Sequence, residues 1–347
     1  MRFYYSVLQI ALTYIGTVVG AGFASGQEIL QFFTRFGYWG ALTIVISTGI
    51  FIWLGAKMML ISSHISAKSY EDLNKALFGK TVGRWVSLFM LIMLLGVSGV
   101  MLAGAGSIFS EHLNFSYQSG LLITLAACFL LLRKGLSAIL AVNTIVVPVM
   151  LLFTILVFAD TLHNPGANRW LILTSDHSPW AAWAAPFLYT AFNLSMAQAV
   201  LVPLGATVKD RKAIIAGAWL GGIGIGFMLL VGHIALSAHM PGITQFAIPM
   251  GGIARELGQK VQWIYLFLIF SEIFTTLIAD IYGLSLQLNE RLKWSRSVVI
   301  LAILAVCYLL SQLGFGTLLS TLYPLFGFVS LGWLLLLIRH PLAREHL

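Results

Sequence analysis

The chain has 347 residues, 59% of them hydrophobic and 9% charged, with a formal net charge of +8 and a mean hydropathy of +0.92. A soluble domain of that size needs a polar outer face, so the composition excludes one and makes lipid the solvent. The basic excess does not require a nucleic-acid partner, because it gathers on one side of the expected membrane.

A span requires about 20 apolar residues. Ten runs are candidates: 5–33, 38–61, 84–110, 119–132, 136–159, 181–204, 213–238, 262–286, 297–313 and 318–338. The first opens almost at Met1 and runs well past the length of a signal-peptide core, so no cleavable leader is expected. It is long enough for two half-helices, and GTVVGAGFASGQE at 16–28 interrupts it. Gly16, Gly20, Gly22 and Gly26 each cost a helix about 1 kcal/mol relative to alanine. A break here frees carbonyls around Gly16–Val19, which suit a cation, and N–H groups around Ala21–Ser25, which suit a carboxylate. Ser25-x-x-Glu28 reads as a capping box that restarts the helix. Glu28 is ionisable within an apolar run, so it reads equally as that cap, as a proton carrier or as a ligand for a substrate amine.

After span 2, the stretch SAKSYEDLNKALFGK within 62–83 predicts a short cytoplasmic helix. Spans 3 and 7 are rich in small residues, GVSGVMLAGAGS at 96–107 and GAWLGGIGIGF at 217–227. That pattern predicts close helix packing rather than a wide pore. Cys128 and Cys307 fall inside spans 4 and 9, which argues against a disulfide or a cysteine metal site. The polar stretch 160–180 links two halves. Span 6 then carries YTAFNLSMAQ at 189–198, with Ala191 at the offset of Ala21 and Ser195-x-x-Gln198 as a second capping box. Phe23, Phe187, Tyr189 and Phe192 flank the two interruptions and are candidate pocket walls. His233 in span 7 reads as a packed or hydrogen-bonded histidine, and 240–260 is an outer counterpart of 62–83.

Span 8 sets Glu272, Thr275, Thr276 and Ala279 at i, i+3, i+4 and i+7, on one helical face. Glu272 falls near mid-membrane, where a carboxylate costs roughly 3 kcal/mol to insert. The two hydroxyls one turn on either offer oxygen to a hard cation or bond back to their own helix. Asp280 lies on another face, nearer the cytoplasm, where interfacial solvation is expected.

With the N-terminus inside, only Arg35, Arg169, Arg255 and Lys260 of the 20 lysines and arginines fall outside, so both termini are cytoplasmic. Ten spans divide into residues 1–160 and 181–338. Five spans per half make the second half enter from the opposite side, as an inverted repeat. Helices interrupted at corresponding positions of two such halves point to the substrate site of a secondary transporter. No HExxH, P-loop or GxSxG pattern is present, so neither an enzyme nor a cofactor is expected.

In these residues the chain resembles the amino acid/polyamine/organocation superfamily, and within it the YkvI-type bacterial membrane proteins. GTVVGAG is similar to the small-residue core of that superfamily's broken first helix. The resemblance covers all ten spans and implies the LeuT-type fold. That is an all-α integral membrane protein of ten transmembrane helices in a 5+5 inverted repeat, with helices 1 and 6 broken at mid-membrane. It implies a sodium site built from the carbonyls of Gly16 and Val19, the hydroxyls of Thr275 and Thr276, and the backbone at Glu272. It further implies a substrate carboxylate on the N–H groups of Ala21 and Gly22, with Phe23 and Ser25 alongside. Phe192, Asn193 and Ser195 would face the substrate from span 6.

An acid at Glu272 departs from the small residue common in such families, so its side chain enters the ion site or takes a proton. Span 5 lacks a lysine near the sodium position, which leans towards sodium, and span 3 lacks the tyrosine of one family carboxylate contact. The expected function is sodium-coupled symport of a small organic solute, an amino acid or related amine, across the bacterial inner membrane. The expected partners are that solute and the lipid bilayer, and a monomer suffices. The alternatives are a proton-coupled carrier using Glu272 or Glu28, and a non-transporting ligand sensor of the same fold.

Overall fold

A lipid-embedded chain must satisfy its backbone within each segment, and helices do so. The computed structural model describes residues 2–67, 69–134, 139–292 and 295–341, and their regular structure is wholly helical. The first span is split into α1 (Arg2–Val18), α2 (Ala21–Ser25) and α3 (Gln27–Phe32), followed by a 3₁₀ turn at Thr34–Phe36. Four helices complete the first half: α4 (Trp39–Ile65), α5 (Tyr70–Glu111), α6 (Tyr117–Lys134) and α7 (Ile139–Thr161). The short α8 (Arg169–Ile172) lies in the link. The second half comprises α9 (Pro179–Thr207), α10 (Arg211–Ala238), α11 (Pro249–Glu256), α12 (Gln259–Leu292), α13 (Arg296–Ser311) and α14 (Phe315–Arg339). Six of these are long and apolar enough to cross a membrane, and Phe3–Val18, Tyr117–Leu132, Val146–Thr161 and Arg296–Ser311 are shorter apolar helices. Of the basic residues assigned to the inner side, Lys68, Lys293 and Arg344 lie outside the described residues, as do residues 136–138 of the fifth span.

The segment expected to hold a short helix, within 62–83, does so. Ser69 and Asp72 cap its start reciprocally, and Gly79 (φ 76°, ψ 171°) kinks it away from the rest of α5. The small-residue spans pack as closely as expected. A Cβ placed on Gly217 would stand 2.6 Å from Ile10 Cβ, and one on Gly222 would stand 2.5 Å from Ile52. On α5, Gly96 lies under Phe326 and Gly99 under Leu310. These contacts bring α10 against α1 and α4, and α5 against α13 and α14, at the separations only glycine permits.

Packing is most extensive between α4 and α9, between α1 and α10, and between α10 and α4. Helix α12 crosses α5. Tyr14 of α1 donates to the Phe51 carbonyl of α4 at 2.8 Å, tying two helices of this central group together. His233 is a packed histidine, as expected: it is fully buried, with Nδ1 3.1 Å from the Thr34 hydroxyl.

Two expectations are corrected. The break in span 6 does not occur, because α9 is helical throughout Pro179–Thr207. Its YTAFNLSMAQ stretch has no glycine. Its polar side chains bond back to the preceding turn instead, Thr190 to the Pro186 carbonyl at 2.7 Å and Asn193 to the Tyr189 carbonyl at 3.0 Å. That arrangement suits a continuous helix. The two capping boxes also do not form. Gly26 caps α3, and Ser195 and Gln198 lie inside α9.

Candidate substrate and ion site

The first span breaks twice, and the backbone groups released at the two breaks meet different fates. At Gly26 (φ 86°) the chain turns through the left-handed region, and the carbonyls released there find partners. Ser25 Oγ donates to the Gly22 carbonyl at 2.9 Å, and the buried Tyr265 hydroxyl of α12 donates to the Ala24 carbonyl. At Val19–Gly20 the chain behaves otherwise. The Gly20 N–H turns to the Val18 carbonyl at 3.0 Å. Among the described residues, the carbonyls of Gly16, Thr17 and Val19 then accept no hydrogen bond, and the N–H groups of Ala21, Gly22 and Phe23 donate none. Unpaired backbone at membrane depth is stable only where it lines a cavity or meets a ligand. Both sets fall on the residues anticipated from the sequence.

Glu28 does not reach back to the Ser25 N–H. Its side chain folds over Gly22, where an added Cβ would collide with Oε1, Cδ and Cγ. It is 3% exposed, and Oε2 has no hydrogen-bond partner. The Tyr189 hydroxyl of α9 lies beside this carboxyl, yet it too is buried and makes no hydrogen bond. Phe32, Phe33 and Phe51 surround the Tyr189 ring at centroid distances of 5.2, 5.1 and 5.9 Å.

The span-6 candidates face the same region with little free chemistry. Phe192 is buried and packs against the Tyr323 ring of α14, tilted by 36° at a centroid distance of 4.3 Å. The Asn193 amide is committed to its own helix. Ser195 Oγ donates to the Phe192 carbonyl at 2.8 Å and lies 3.0 Å from Ser330 Oγ of α14. Ser25 and Ser195 thus do the same work at matching offsets, each closing on the carbonyl three residues back. Phe23 is buried, whereas Phe187 is 44% exposed and walls nothing.

On α12, Glu272 is 2% exposed. Thr275 and Thr276 differ. The Thr275 hydroxyl bonds back to the Ser271 carbonyl at 2.9 Å and reaches the Glu272 carbonyl at 3.2 Å. The Thr276 hydroxyl makes no such bond. Tyr265, Glu272 and Thr276 are spaced by seven and four residues, so they share a face. Tyr265 fixes that face against α2, and its ring stacks on Phe153 of α7 at 3.7 Å. Glu272 and Thr276 follow Tyr265 along α12 by about 10 and 16 Å of helix. Asp280 is a further correction: instead of being solvated, its Oδ2 is buried without a partner.

Tyr189, Tyr323 and Ser330 complete the constellation. Tyr189 was visible as an aromatic next to the span-6 stretch. Tyr323 and Ser330 lie 130 residues or more further along, in a span with no local signal.

No family model matches the chain. It is 42% identical over 332 residues to the membrane protein YkvI of Bacillus subtilis (strain 168), covering 95% of this chain and 94% of that protein. The chain belongs to the YkvI family of membrane proteins. A second B. subtilis protein, YyaD, is 27% identical over 338 residues, covering 96% of each chain.

Among solved structures, MhsT in complex with L-phenylalanine matches this YkvI-family chain with a TM-score of 0.66 at 16% identity, covering 93% of this chain and 87% of that one. Mhp1, a nucleobase-cation-symport-1 family transporter, matches at 0.60 and 12% identity, covering 92% and 74%. A manganese transporter of Eremococcus coleocola matches at 0.56 and 15% identity, covering 95% and 76%. The fold is therefore the LeuT-type fold of secondary transporters, and the chain is a multi-pass membrane protein.

Proposed function

We propose that this protein is a sodium-coupled symporter of a small organic solute, an amino acid or related amine, working by alternating access in the bacterial inner membrane. The observation that carries this reading is the unpaired backbone of Gly16, Thr17 and Val19, which we group with Glu272 and the Thr276 hydroxyl as one ion site. Three carbonyls, a hydroxyl and a carboxylate are oxygen donors of the kind a hard cation takes. The unpaired N–H groups of Ala21–Phe23 lie on the other side of the break, where an organic acid group fits. The L-phenylalanine held by the similarly folded MhsT supports an amino-acid solute. Residues 1–160 and 181–338 act as the two inverted halves, with both termini in the cytoplasm. Sodium shifts the balance between outward- and inward-open states only by its differential affinity for them.

One observation favours a second reading: Glu272 is 2% exposed, as a proton-carrying carboxyl would be. Uptake into proteoliposomes under an imposed sodium gradient, then under a proton gradient in potassium, separates the two. Sodium-driven accumulation supports the symporter. Accumulation driven by protons alone and abolished in Glu272→Gln replaces it with the proton-coupled carrier. Saturable binding with no flux under either gradient replaces both with a ligand sensor.

A further inference from the structure

An isolated carboxylate buried in a low-dielectric interior is unstable by several kcal/mol unless a positive charge or hydrogen-bond donors meet it. Glu28 has neither. Its carboxyl is pinned over Gly22 and Oε2 is without a partner. No lysine, arginine or histidine among the described residues forms an ion pair with it. The Tyr189 hydroxyl beside it is likewise fully buried and unpartnered. Two unsatisfied polar groups, each more than nine-tenths buried, therefore converge on one point at the broken helix. The surroundings of that point are aromatic. Phe32, Phe33 and Phe51 enclose the Tyr189 ring, and Tyr323, itself against Phe192, lies within electrostatic range of Glu28.

We infer that Glu28 and Tyr189 form the recognition site for an ammonium group on the transported solute, which is therefore an amine-bearing compound. The inference rests on the reading of the α1–α2 break as the solute site. An ammonium has three N–H donors and no acceptor. One meets Glu28 Oε2, one meets the Tyr189 oxygen, and the ring faces suit the remaining charge through cation–π attraction. A bare sodium ion fits this point less well, because it needs oxygen on most sides and the rings supply none. The matching position of the second half holds Gln198, whose amide donates to the Ser195 carbonyl at 2.7 Å. The second half thus has no equivalent site, and the solute has one defined orientation.

The test begins with wild-type protein and needs no mutant. Thermal stabilisation in sodium is measured across the proteinogenic amino acids, their decarboxylated amines and their deaminated acids. One matched set is L-phenylalanine, phenethylamine and 3-phenylpropionate; another is L-leucine, isopentylamine and 4-methylpentanoate. A ligand of the native state raises the melting temperature by mass action. Compounds bearing the amine are expected to stabilise, and their deaminated partners are not. For a stabilising amine, Glu28→Gln is expected to weaken binding at least tenfold and Tyr189→Phe several-fold, with the sodium-dependent shift unchanged in both.

A deaminated acid that stabilises as well as its amine overturns the inference, as does a panel in which no amine stabilises at all. So does a Glu28→Gln protein that binds the amine normally but loses the pH dependence of uptake, since that makes Glu28 a proton carrier. Amine binding without flux sinks the transporter reading and leaves the ammonium site intact. Flux of a deaminated acid does the reverse.

Discussion

Thr275 and Thr276 are adjacent, yet their hydroxyls are not equally free. Thr275 already bonds to the Ser271 and Glu272 carbonyls, while the hydroxyl of Thr276 on the Tyr265–Glu272 face makes no bond among the described residues. Thr276→Ala is therefore expected to raise the half-saturating sodium concentration for uptake about tenfold, and Thr275→Ala by less than about threefold. Equal effects would remove Thr276 from the ion site. Tyr265 acts structurally. Its hydroxyl satisfies the Ala24 carbonyl exposed by the Gly26 turn, and leaving a buried carbonyl unpaired costs about 1–3 kcal/mol. Tyr265→Phe is expected to lower the melting temperature measurably while the protein still binds sodium. Of the individual side chains, Glu28, Glu272, Ser25 and Ser195 could be singled out from the sequence, because a polar group in an apolar run is conspicuous. Which partners they meet could not be read, since Tyr265 and Ser330 come from distant helices without a local signal, and Tyr189 stood out only as an aromatic.

At the scale of the element, two similar stretches fold differently. GTVVGAGFASGQE has four glycines and breaks; YTAFNLSMAQ has none and stays helical. Threonine, asparagine and serine in a membrane helix can return their hydrogen bonds to the preceding turn, so polarity alone does not interrupt it. Within the broken span, Gly26 is held more tightly than the kink at Gly79. Both have positive φ, but a Cβ at Gly26 would stand 2.7 Å from Met250 Cγ, whereas none at Gly79 meets anything within 4 Å. An L-residue in the left-handed region costs roughly 1–2 kcal/mol. Gly79→Ala is expected to cost about that much, and Gly26→Ala clearly more, as read from thermal unfolding of the two purified variants. Equal losses would show that the Met250 contact relaxes freely.

At the scale of the whole molecule, the end of the bundle around α11 is tied together by polar contacts. Glu111, closing α5, accepts from the Ala247 and Ile248 N–H groups at 2.9 and 3.1 Å, just ahead of α11. His239 Nε2 meets Glu256 Oε2 at 2.8 Å, and Gln27 of α3 donates to the Phe246 carbonyl at 2.9 Å. Around these ties lies a cleft of about 440 Å³ lined by Glu111, His112, His239, Arg255, Glu256 and Gln262. Burial, and secondarily the Arg255 charge, holds His112 below its ordinary value of 6.5 despite the Ile248 backbone contact. Its folded state prefers the neutral ring, so this contribution is complete above the unfolded value and is lost as pH falls below it. The melting temperature is expected to drop from pH 7 to pH 5, and His112→Gln to flatten that drop. An unchanged slope in the variant would assign the acid sensitivity elsewhere.

The sequence by itself determined the solvent, the spans and the place of the first break. Apolar run length, basic asymmetry and clustered glycines act locally, and the helices α1 to α14 follow them closely. Even the unpaired carbonyls of Gly16 and Val19 were legible, because a chain that stops being helical must release them. The fate of each released group was decided only by tertiary structure. Tyr265 reaches the Ala24 carbonyl from 241 residues away, Ser330 meets Ser195 across 135, and Glu28 lies over Gly22 instead of capping Ser25. Hydrogen-bond satisfaction in lipid is a property of whichever helices happen to face one another, and no local pattern encodes that choice.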